Sequence, residues 1–205
     1  MYTPRHFRVD DFALARQLIQ ERPLALLLGP DAEGQIQLSH LPLTLIEAAD
    51  GALALEGHMA RGNPQWRWLS AQPAVQAVFT GPDGYVSPRH YDSELNVPTW
   101  NFLAVQVRGR IELLEDEAAT EAVLKRLIAD HEPGYAAHWD RLPQDFQQQL
   151  LRAIVGFRIR VEHWECKAKL SQNRAAGERA SLLAELDQQT GRGQELALWM
   201  RRLGL

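Results

Sequence analysis

The sequence lacks three features that would each indicate a cellular location: cysteine pairs, a long apolar segment and an N-terminal apolar run. It contains a single cysteine, Cys166, so an intrachain disulfide is excluded. No stretch approaches the ~20 consecutive apolar residues that a membrane-spanning helix needs. The N-terminal residues also lack an apolar run of signal-peptide length. We therefore expect a cytoplasmic protein with no membrane contact.

Positive charge is also scarce. The formal net charge is −4, and only three of the 22 basic residues are lysines, namely Lys125, Lys167 and Lys169. Proteins that coat nucleic acid carry an excess of basic residues, and no helix-turn-helix is evident in this chain. Neither charge nor motif therefore supports DNA as a direct partner.

The order of strand and helix signals predicts a mainly β chain with peripheral helices. Alternating or short apolar runs between turn residues predict strands in residues 24–28, 35–47, 53–60, 74–80, 84–86, 99–114 and 156–164. Helical spacing predicts helices in residues 12–19, 64–71, 115–129, 143–152, 175–188 and 193–203. Residues 89–98 and the connection around residues 131–139 are expected to be loops. Strands in direct succession favour a closed or partly closed antiparallel barrel of the α+β class over a doubly wound sheet.

One stretch, residues 57–66 with the sequence GHMARGNPQW, combines a strand end, a turn and a helix start. Asn63 followed by Pro64 is typical of a helix N-terminus, whose backbone N–H groups and dipole favour an anion. Arg61 adds a full positive charge beside them. The turn either binds an anion or presents a solvated arginine on the surface, and the stretch by itself does not decide between the two.

Two further stretches carry side chains that suit ligand binding. Residues 167–174, KAKLSQNR, place Lys167 and Lys169 on one side of a strand before the short polar run Ser171, Gln172 and Asn173. This run is suited to an anion or a heterocycle, or alternatively caps the helix that follows. In residues 98–102, PTWNF, Trp100 and its neighbour Asn101 can stack on and hydrogen-bond a flat ligand, although a tryptophan is commonly a core residue.

The sequence does not support a metal site or a catalytic nucleophile. The seven histidines show no helical spacing with a carboxylate and no cluster with Cys166, so no metal site is expected. His40 and His58 are the exceptions as site candidates, because both lie on strands next to the anion turn. Cys166 lacks the glycines of a nucleophile elbow, and both the Walker and the dinucleotide-binding fingerprints are absent.

Six motifs, taken in chain order, resemble the family of FMN-binding negative transcriptional regulators known as PaiB. They are MYTPRHF at the start, SHLPL in residues 39–43, GHMARGNPQW, FTGPDGYVSP in residues 79–88, VPTWNF and KAKLSQNR. The resemblance covers residues 1–174 and implies an FMN-binding split β-barrel related to pyridoxine-phosphate oxidase. We expect this barrel to contain the inserted helices of residues 115–154 and to be followed by a helical extension in residues 175–205. Gly62 and Cys166 stand where the family pattern has alanine.

The resemblance also implies where FMN lies, in a groove formed by the two subunits of a homodimer. Arg61 then holds the phosphate, with Ala60 and Asn63 beside it. The isoalloxazine is expected to lie along Ser39, His40 and Leu41. The residues that close the pocket, from the same or the partner chain, are Trp100, Asn101, Lys167, Lys169, Ser171, Gln172 and Asn173. Trp164 in the VEHWE segment is similar to a tryptophan on a pyridoxine-phosphate oxidase strand.

Three functions follow from this resemblance. The first is an FMN-binding homodimer that acts as a negative transcriptional regulator or as a sensor of redox state or of a metabolite. The second is an oxidoreductase of the pyridoxine-phosphate oxidase or flavin reductase type, in which FMN carries the redox chemistry. The third is a haem-handling split barrel, which requires a histidine such as His40 or His58 to ligate iron. The sequence leaves open whether the protein is an enzyme, and no catalytic residue can be assigned.

Overall fold

A computed structural model describes residues 1–92 and 95–205. Two compact units are formed by segments that are distant in the chain. Unit 1 comprises residues 1–18, 80–105 and 165–205, and unit 2 comprises residues 19–79 and 106–164. The predicted boundary at residue 174 rests on the resemblance alone and stays a prediction.

Runs of strands and runs of helices follow one another along the chain, as expected of an α+β protein. The elements are β1 (Arg8–Val9), α1 (Phe12–Glu21), β2 (Leu24–Pro30), β3 (Ile36–Pro42), β4 (Thr44–Glu47), β5 (Leu53–Ala60), α2 (Gln65–Ala71), β6 (Ala74–Val86), β7 (Thr99–Leu113), α3 (Glu117–His131), α4 (Ala136–Trp139), α5 (Gln144–Arg152), β8 (Ile154–Lys169), α6 (Ala176–Gln188) and α7 (Arg192–Arg202). Short 3₁₀ turns occur at Arg5–Phe7, Pro88–His90 and Pro133–Tyr135. No helix within residues 1–92 and 95–205 is long and apolar enough to cross a membrane.

The strands form one sheet in the order β3-β2-β6-β7-β8-β5-β4, with β1 paired to β8. The pairs β2–β3, β2–β6, β4–β5, β5–β8 and β1–β8 are all antiparallel. The predicted antiparallel α+β architecture is therefore confirmed. Strands β3 and β4 end the order, so the sheet of the described residues is open, and Pro42 lies on an edge strand as a proline in a sheet requires.

Unit 2 has a core of alternating inward-facing side chains from β2, β5 and β8. Its fully buried members include Leu27, Leu55, Phe157 and Ile159, and Leu43, between β3 and β4, is also fully buried in this unit. Helix α3 packs against β4 and β5, and α2 packs against β2. This packing fixes the end of β5, where the anion turn begins.

Unit 1 has its own core, to which the C-terminal helices contribute. Its buried side chains include Leu18 from α1, Leu103 from β7, Leu170 directly after β8, and Leu196 and Met200 from α7. Helices α6 and α7 pack on each other. The end of β8 and the start of β7 therefore rest on an apolar layer.

Two predictions about breaks and connections were wrong. Strand β6 continues through Gly81 and Pro82, where the sequence pattern placed a break. A Cβ at Gly81 would lie 2.8 Å from Leu18 Cδ1 and 2.9 Å from Leu103 Cβ, so glycine at this position permits close packing rather than a turn. The connection expected to be a loop around residues 131–139 contains helical turns. The predicted loop in residues 89–98 includes Ser93 and Glu94, which lie outside the described residues.

Candidate functional site

The anion turn lies in unit 2, and hydrogen bonds to the end of α5 and the start of β8 hold its arginine in place. The Arg61 guanidinium donates from Nε to the carbonyl of Arg152 at 2.7 Å and from Nη2 to the carbonyl of Ile154 at 2.9 Å. The backbone N–H of Arg61 donates to the carbonyl of Ala153 at 2.8 Å. A guanidinium has five N–H donors. These contacts therefore orient Arg61 while leaving exposed donors for an anion.

A second arginine adds to the positive charge of the turn. The guanidinium carbon of Arg67 lies 4.8 Å from the centroid of the Trp66 ring, and that of Arg61 lies 6.0 Å from the same ring. The Trp66 Nε1–H donates to the carbonyl of Arg61 at 3.0 Å. Sequence reasoning missed Arg67, although its position directly after Trp66 and near a turn that already carried an arginine was an available signal.

Asn63 joins the turn to β3. Its Oδ1 accepts the backbone N–H of Gln65 at 3.0 Å, and its Nδ2 donates to Ser39 Oγ at 2.8 Å. Asn63 was predicted to be the N-cap, but the N-cap of this helix is Pro64, and the helix begins at Gln65 and has only seven residues. The side-chain amide also occupies a backbone donor that was expected to face the anion. The positive character of the site therefore comes from its arginines rather than from the helix dipole.

The other predicted residues of unit 2 occupy different faces of their strands. Ser39 and Leu41 share one face of β3, whereas His40 is exposed on the other. Ala60 is exposed at the end of β5. The structure thus brings Ser39, Asn63 and Arg61 together around the turn.

His58 is set apart from this group by burial. It shares a face of β5 with Glu56, whose carboxylate bonds to Arg126 of α3. Burial lowers the pKa of the His58 imidazole, because desolvation disfavours the charged form. Its Nδ1 has no hydrogen-bond partner among the described residues. His58 therefore lies on the side of the strand that faces α3 and remains neutral near pH 7.

The remaining predicted residues lie in unit 1, where four of them line a cavity of about 220 Å³. These four are Asn101, Lys169, Ser171 and Asn173. Asn101 is fully buried, and its amide exchanges hydrogen bonds with Ser171 Oγ at 3.0 and 3.3 Å. The Lys169 ammonium donates to Thr99 Oγ1. These side chains give the cavity one polar wall.

Three other candidates of unit 1 have different surroundings. Trp100 is half-exposed and donates from Nε1 to Asp83 Oδ1 at 2.9 Å. The Lys167 ammonium donates to the carbonyl of Tyr2 at 3.0 Å. The Gln172 side chain accepts the backbone N–H of Leu170 at 2.7 Å and donates to the carbonyl of Ala168. Gln172 therefore stabilises its own turn.

Cys166 is expected to be unreactive in the folded protein. It is buried on β8 opposite Val9, and this burial raises the pKa of its thiol to about 12. The thiolate is the reactive form, so a thiol-specific disulfide reagent at pH 8 should label Cys166 only after unfolding in guanidinium. Rapid labelling of one thiol per chain in the native protein would contradict this assignment.

Metal ligation has no preformed centre in the described ranges. Across residues 1–92 and 95–205, no group of three or more His, Cys, Asp or Glu side chains is arranged to hold a metal ion.

Trp164, which the resemblance compared with a tryptophan of a pyridoxine-phosphate oxidase strand, is half-buried on β8 in unit 2.

The open antiparallel sheet with flanking helices defines a class of protein, the split β-barrels. The chain superposes on the FAD and haem binding protein from Mycobacterium smegmatis with a TM-score of 0.65 and 19% identity, covering 85% of this chain and 78% of the other. The flavocytochrome Anf3 from Azotobacter vinelandii gives a TM-score of 0.61 at 20% identity, with coverages of 81% and 72%. At these identities the likeness establishes the fold, and the predicted split barrel is confirmed.

The chain belongs to the family described as "Putative FMN-binding domain", which matches residues 1–163. It is 34% identical over 187 residues to the "Protease synthase and sporulation protein PAI 2" of Bacillus subtilis, covering 91% of this chain and 89% of that protein. It is 29% identical over 212 residues to the uncharacterized protein AN0679 of Emericella nidulans, covering 84% of each. The predicted relationship to the PaiB family is thereby confirmed.

Proposed function

We propose that this chain binds FMN and that Arg61 holds the FMN phosphate. The observation that carries the proposal is the cationic turn, which lies within the residues matched by the FMN-binding family. Guanidinium groups match phosphate oxygens in geometry and form short charge-assisted hydrogen bonds with them. Arg61 is already oriented by two carbonyl groups, so little conformational freedom is lost when it binds an anion. Arg67 supplies a second positive charge nearby.

The isoalloxazine contacts remain those predicted from the sequence. Ser39 is hydrogen-bonded to Asn63, which connects this part of β3 to the phosphate turn and supports Ser39 and Leu41, on one face of β3, as neighbours of the ring system. His40 is exposed on the opposite face, and its place beside the ring rests on the resemblance alone. Trp100 lies in unit 1 and is half-exposed, and its place against the ring system rests on the resemblance alone. Bound FMN supplies electron-transfer chemistry, while these residues bind and orient it.

Equilibrium titration with FMN tests the phosphate assignment. Arg61→Ala removes charge-assisted hydrogen bonds and should weaken FMN binding by about 1.5–3 kcal/mol, roughly 10- to 150-fold. Arg141→Ala is the matched control, because Arg141 is an exposed arginine of the same unit outside the turn. Circular dichroism should show the same fold for both variants. Equal affinities of Arg61→Ala and Arg141→Ala would refute the assignment.

The FMN site is proposed to be completed in a homodimer. Three large apolar side chains, Leu24, Ile36 and Leu38, are mostly exposed on β2 and the edge strand β3. Leu28 pairs with Leu38 and Leu24 pairs with Pro42, so the three side chains share one sheet face. Exposed apolar surface beside an unpaired strand edge suits association with a second copy of the chain.

Light scattering after size exclusion tests this dimer. The native chain should have the mass of two copies, and Leu38→Lys should shift the mass toward one copy because a charge would be buried at the contact. Leu198→Lys is the control, since Leu198 is an exposed leucine on α7 in unit 1. A monomeric native chain, or a dimer unaffected by Leu38→Lys, would contradict the proposed interface.

The cellular role that we propose is negative regulation of transcription through sensing of redox state or of a metabolite. The B. subtilis relative carries a name that refers to protease synthesis and sporulation. The net charge of −4 disfavours contact with a polyanion, so we propose that this chain acts without reading DNA itself. Promoter DNA should give no sequence-specific complex at ~150 mM salt, and a specific, salt-dependent complex would contradict this part. A cytoplasmic location belongs to the same proposal and is compatible with the single buried thiol.

The oxidoreductase alternative rests on the resemblance to flavin-dependent enzymes alone. Anaerobic bleaching of the bound flavin by NADH or NADPH would support an oxidoreductase of the flavin reductase type, and unchanged absorption with both donors would count against that type. The absorption spectrum of the purified protein separates flavin from the haem alternative, for which His40 or His58 would be the ligand.

A further inference from the structure

We propose that the cavity of unit 1 is a binding site for a small oxyanion, a carboxylate- or phosphate-bearing molecule much smaller than FMN. Its polar wall comes from the start of β7, the end of β8 and the turn that follows. The polar lining residues are Thr99, Asn101, Lys169, Ser171, Asn173 and Arg174. This inference concerns unit 1 alone and does not require FMN to bind elsewhere in the chain.

The charge of the cavity selects for an anion. Among the described residues that line it, Lys169 and Arg174 are basic and none is acidic. One N–H of the Lys169 ammonium is occupied by Thr99, which leaves donors for a ligand. No carboxylate among the described lining residues compensates the charge of Lys169, and burial and the charge of Lys167 lower the pKa of its ammonium group. A bound anion would supply the compensating charge.

The backbone conformation and hydrogen bonding of Ser171 indicate that the cavity is a structurally defined site. Ser171 has a φ of +64°, a left-handed conformation that few residues other than glycine adopt. This conformation accompanies the hydrogen bond between Ser171 and the fully buried Asn101. Strained residues of this kind concentrate at ligand sites, where the surrounding structure maintains them.

The second cation is also fixed in place. The Arg174 guanidinium lies 3.8 Å from the centroid of the Tyr91 ring, and its Nη1 donates to Asn96 Oδ1 at 2.7 Å. A guanidinium bound in this way retains donors for a carboxylate or a phosphate. Both basic groups are therefore held in place before any ligand binds.

Size and apolar lining restrict the ligand further. The volume of about 220 Å³ is below the roughly 300–1,000 Å³ of pockets for drug-sized ligands, so the cavity suits a molecule of few heavy atoms. Phe7, Val97 and Pro98 form its apolar side. A short apolar group joined to one oxyanion matches both walls. Lys169, Ser171, Asn173 and Arg174 lie beyond residue 163, where the family match ends, and so take no assigned role from it.

The three lysines of the chain allow a direct test. Protein labelled with ¹³C at lysine Cε gives three side-chain signals, which can be followed during titration with butyrate, inorganic phosphate and, as a cationic control, butylammonium. Butyrate or phosphate should shift the Lys169 signal saturably and raise its pKa, while Lys125 stays unchanged. The anion that binds more tightly identifies the source of the oxyanion. Equal shifts of all three lysines, no shift, or an equal response to butylammonium would overturn the proposal.

Two variants and a competition separate this site from the proposed FMN site. Lys169→Met should weaken the preferred anion at least tenfold when binding is measured by calorimetry, whereas Lys125→Met should leave it unchanged. Arg61→Ala should also leave anion binding unchanged, so a failed phosphate assignment for FMN does not affect this result. Displacement of the anion by stoichiometric FMN would overturn the inference of a separate site.

Discussion

Replacement of Gly109 by alanine is expected to destabilise the protein by about 3 kcal/mol or more, because no space exists for a side chain. A Cβ at this position in β7 would lie 2.1 Å from the backbone oxygen of Arg160 and 3.0 Å from Ile159 Cγ2. The close neighbour is backbone, so a change of side-chain rotamer cannot relieve the overlap. The free energy of unfolding in denaturant measures the effect.

Gly62 provides the matched control for this prediction. No atom lies within 4 Å of a Cβ built on Gly62, which is in the anion turn. Gly62→Ala should therefore change the free energy of unfolding by no more than about 0.5–1 kcal/mol, with a gain favoured by the loss of unfolded-chain entropy. Similar unfolding free energies for the two variants would show that the approach of β7 to Arg160 is wrong.

The second large effect is expected at Glu56, whose side chain is only 1% exposed. Arg126 donates from Nε to Glu56 Oε2 at 2.6 Å, and Arg158 donates from Nε and Nη2 to Oε1 at 2.8 and 2.6 Å. The two guanidinium side chains are 40% and 48% exposed. One buried carboxylate is thus neutralised by two cations that reach water.

Because the carboxylate is buried and the two arginines are partly exposed, we can predict which variants lose more stability. Replacing both Arg126 and Arg158 by methionine leaves a buried carboxylate without a partner and should cost about 3–5 kcal/mol. Glu56→Gln should cost less, because the two arginines can be hydrated at the surface. Denaturant unfolding of the three proteins measures the order. A larger loss for Glu56→Gln than for the double arginine variant would contradict this account of the cluster.

The sequence predicted the strands and helices well wherever one periodicity held over a whole element. Helix α1 has its predicted start, with Asp11 Oδ1 accepting the backbone N–H of Ala13 at 2.9 Å. Strand β5 has its predicted bounds because its alternating residues face two different environments. Gly81 and Pro82 were misleading, since glycine permits both a turn and close packing between elements, and local sequence does not distinguish them.

The sequence was sufficient to predict the charged turn of the candidate site, but not the hydrogen bonds that its side chains make. Arg61 was identified because the helix start and the charge are adjacent in sequence. Its bonds to Arg152 and Ile154 join segments about ninety residues apart, and no local pattern specifies such a pairing. The burial of His58 against α3 depends in the same way on a distant helix.

The predicted site residues are divided between two units, and the sequence could not predict this division either. The resemblance placed all of them around one cofactor. Within unit 1, the cavity depends on Asn101 meeting Ser171 across a separation of seventy residues. Only the tertiary structure shows that Gln172 is occupied by its own backbone, while Lys169 faces the cavity.

The central claim is that Arg61 recognises the phosphate of FMN. The most direct measurement compares FMN with riboflavin, which lacks the phosphate, on the native protein and on Arg61→Ala. We expect the native protein to bind FMN at least tenfold more tightly than riboflavin, about 1.4 kcal/mol, and this preference to disappear in the variant. A native protein that binds both flavins equally, or a preference that survives in Arg61→Ala, would contradict the assignment.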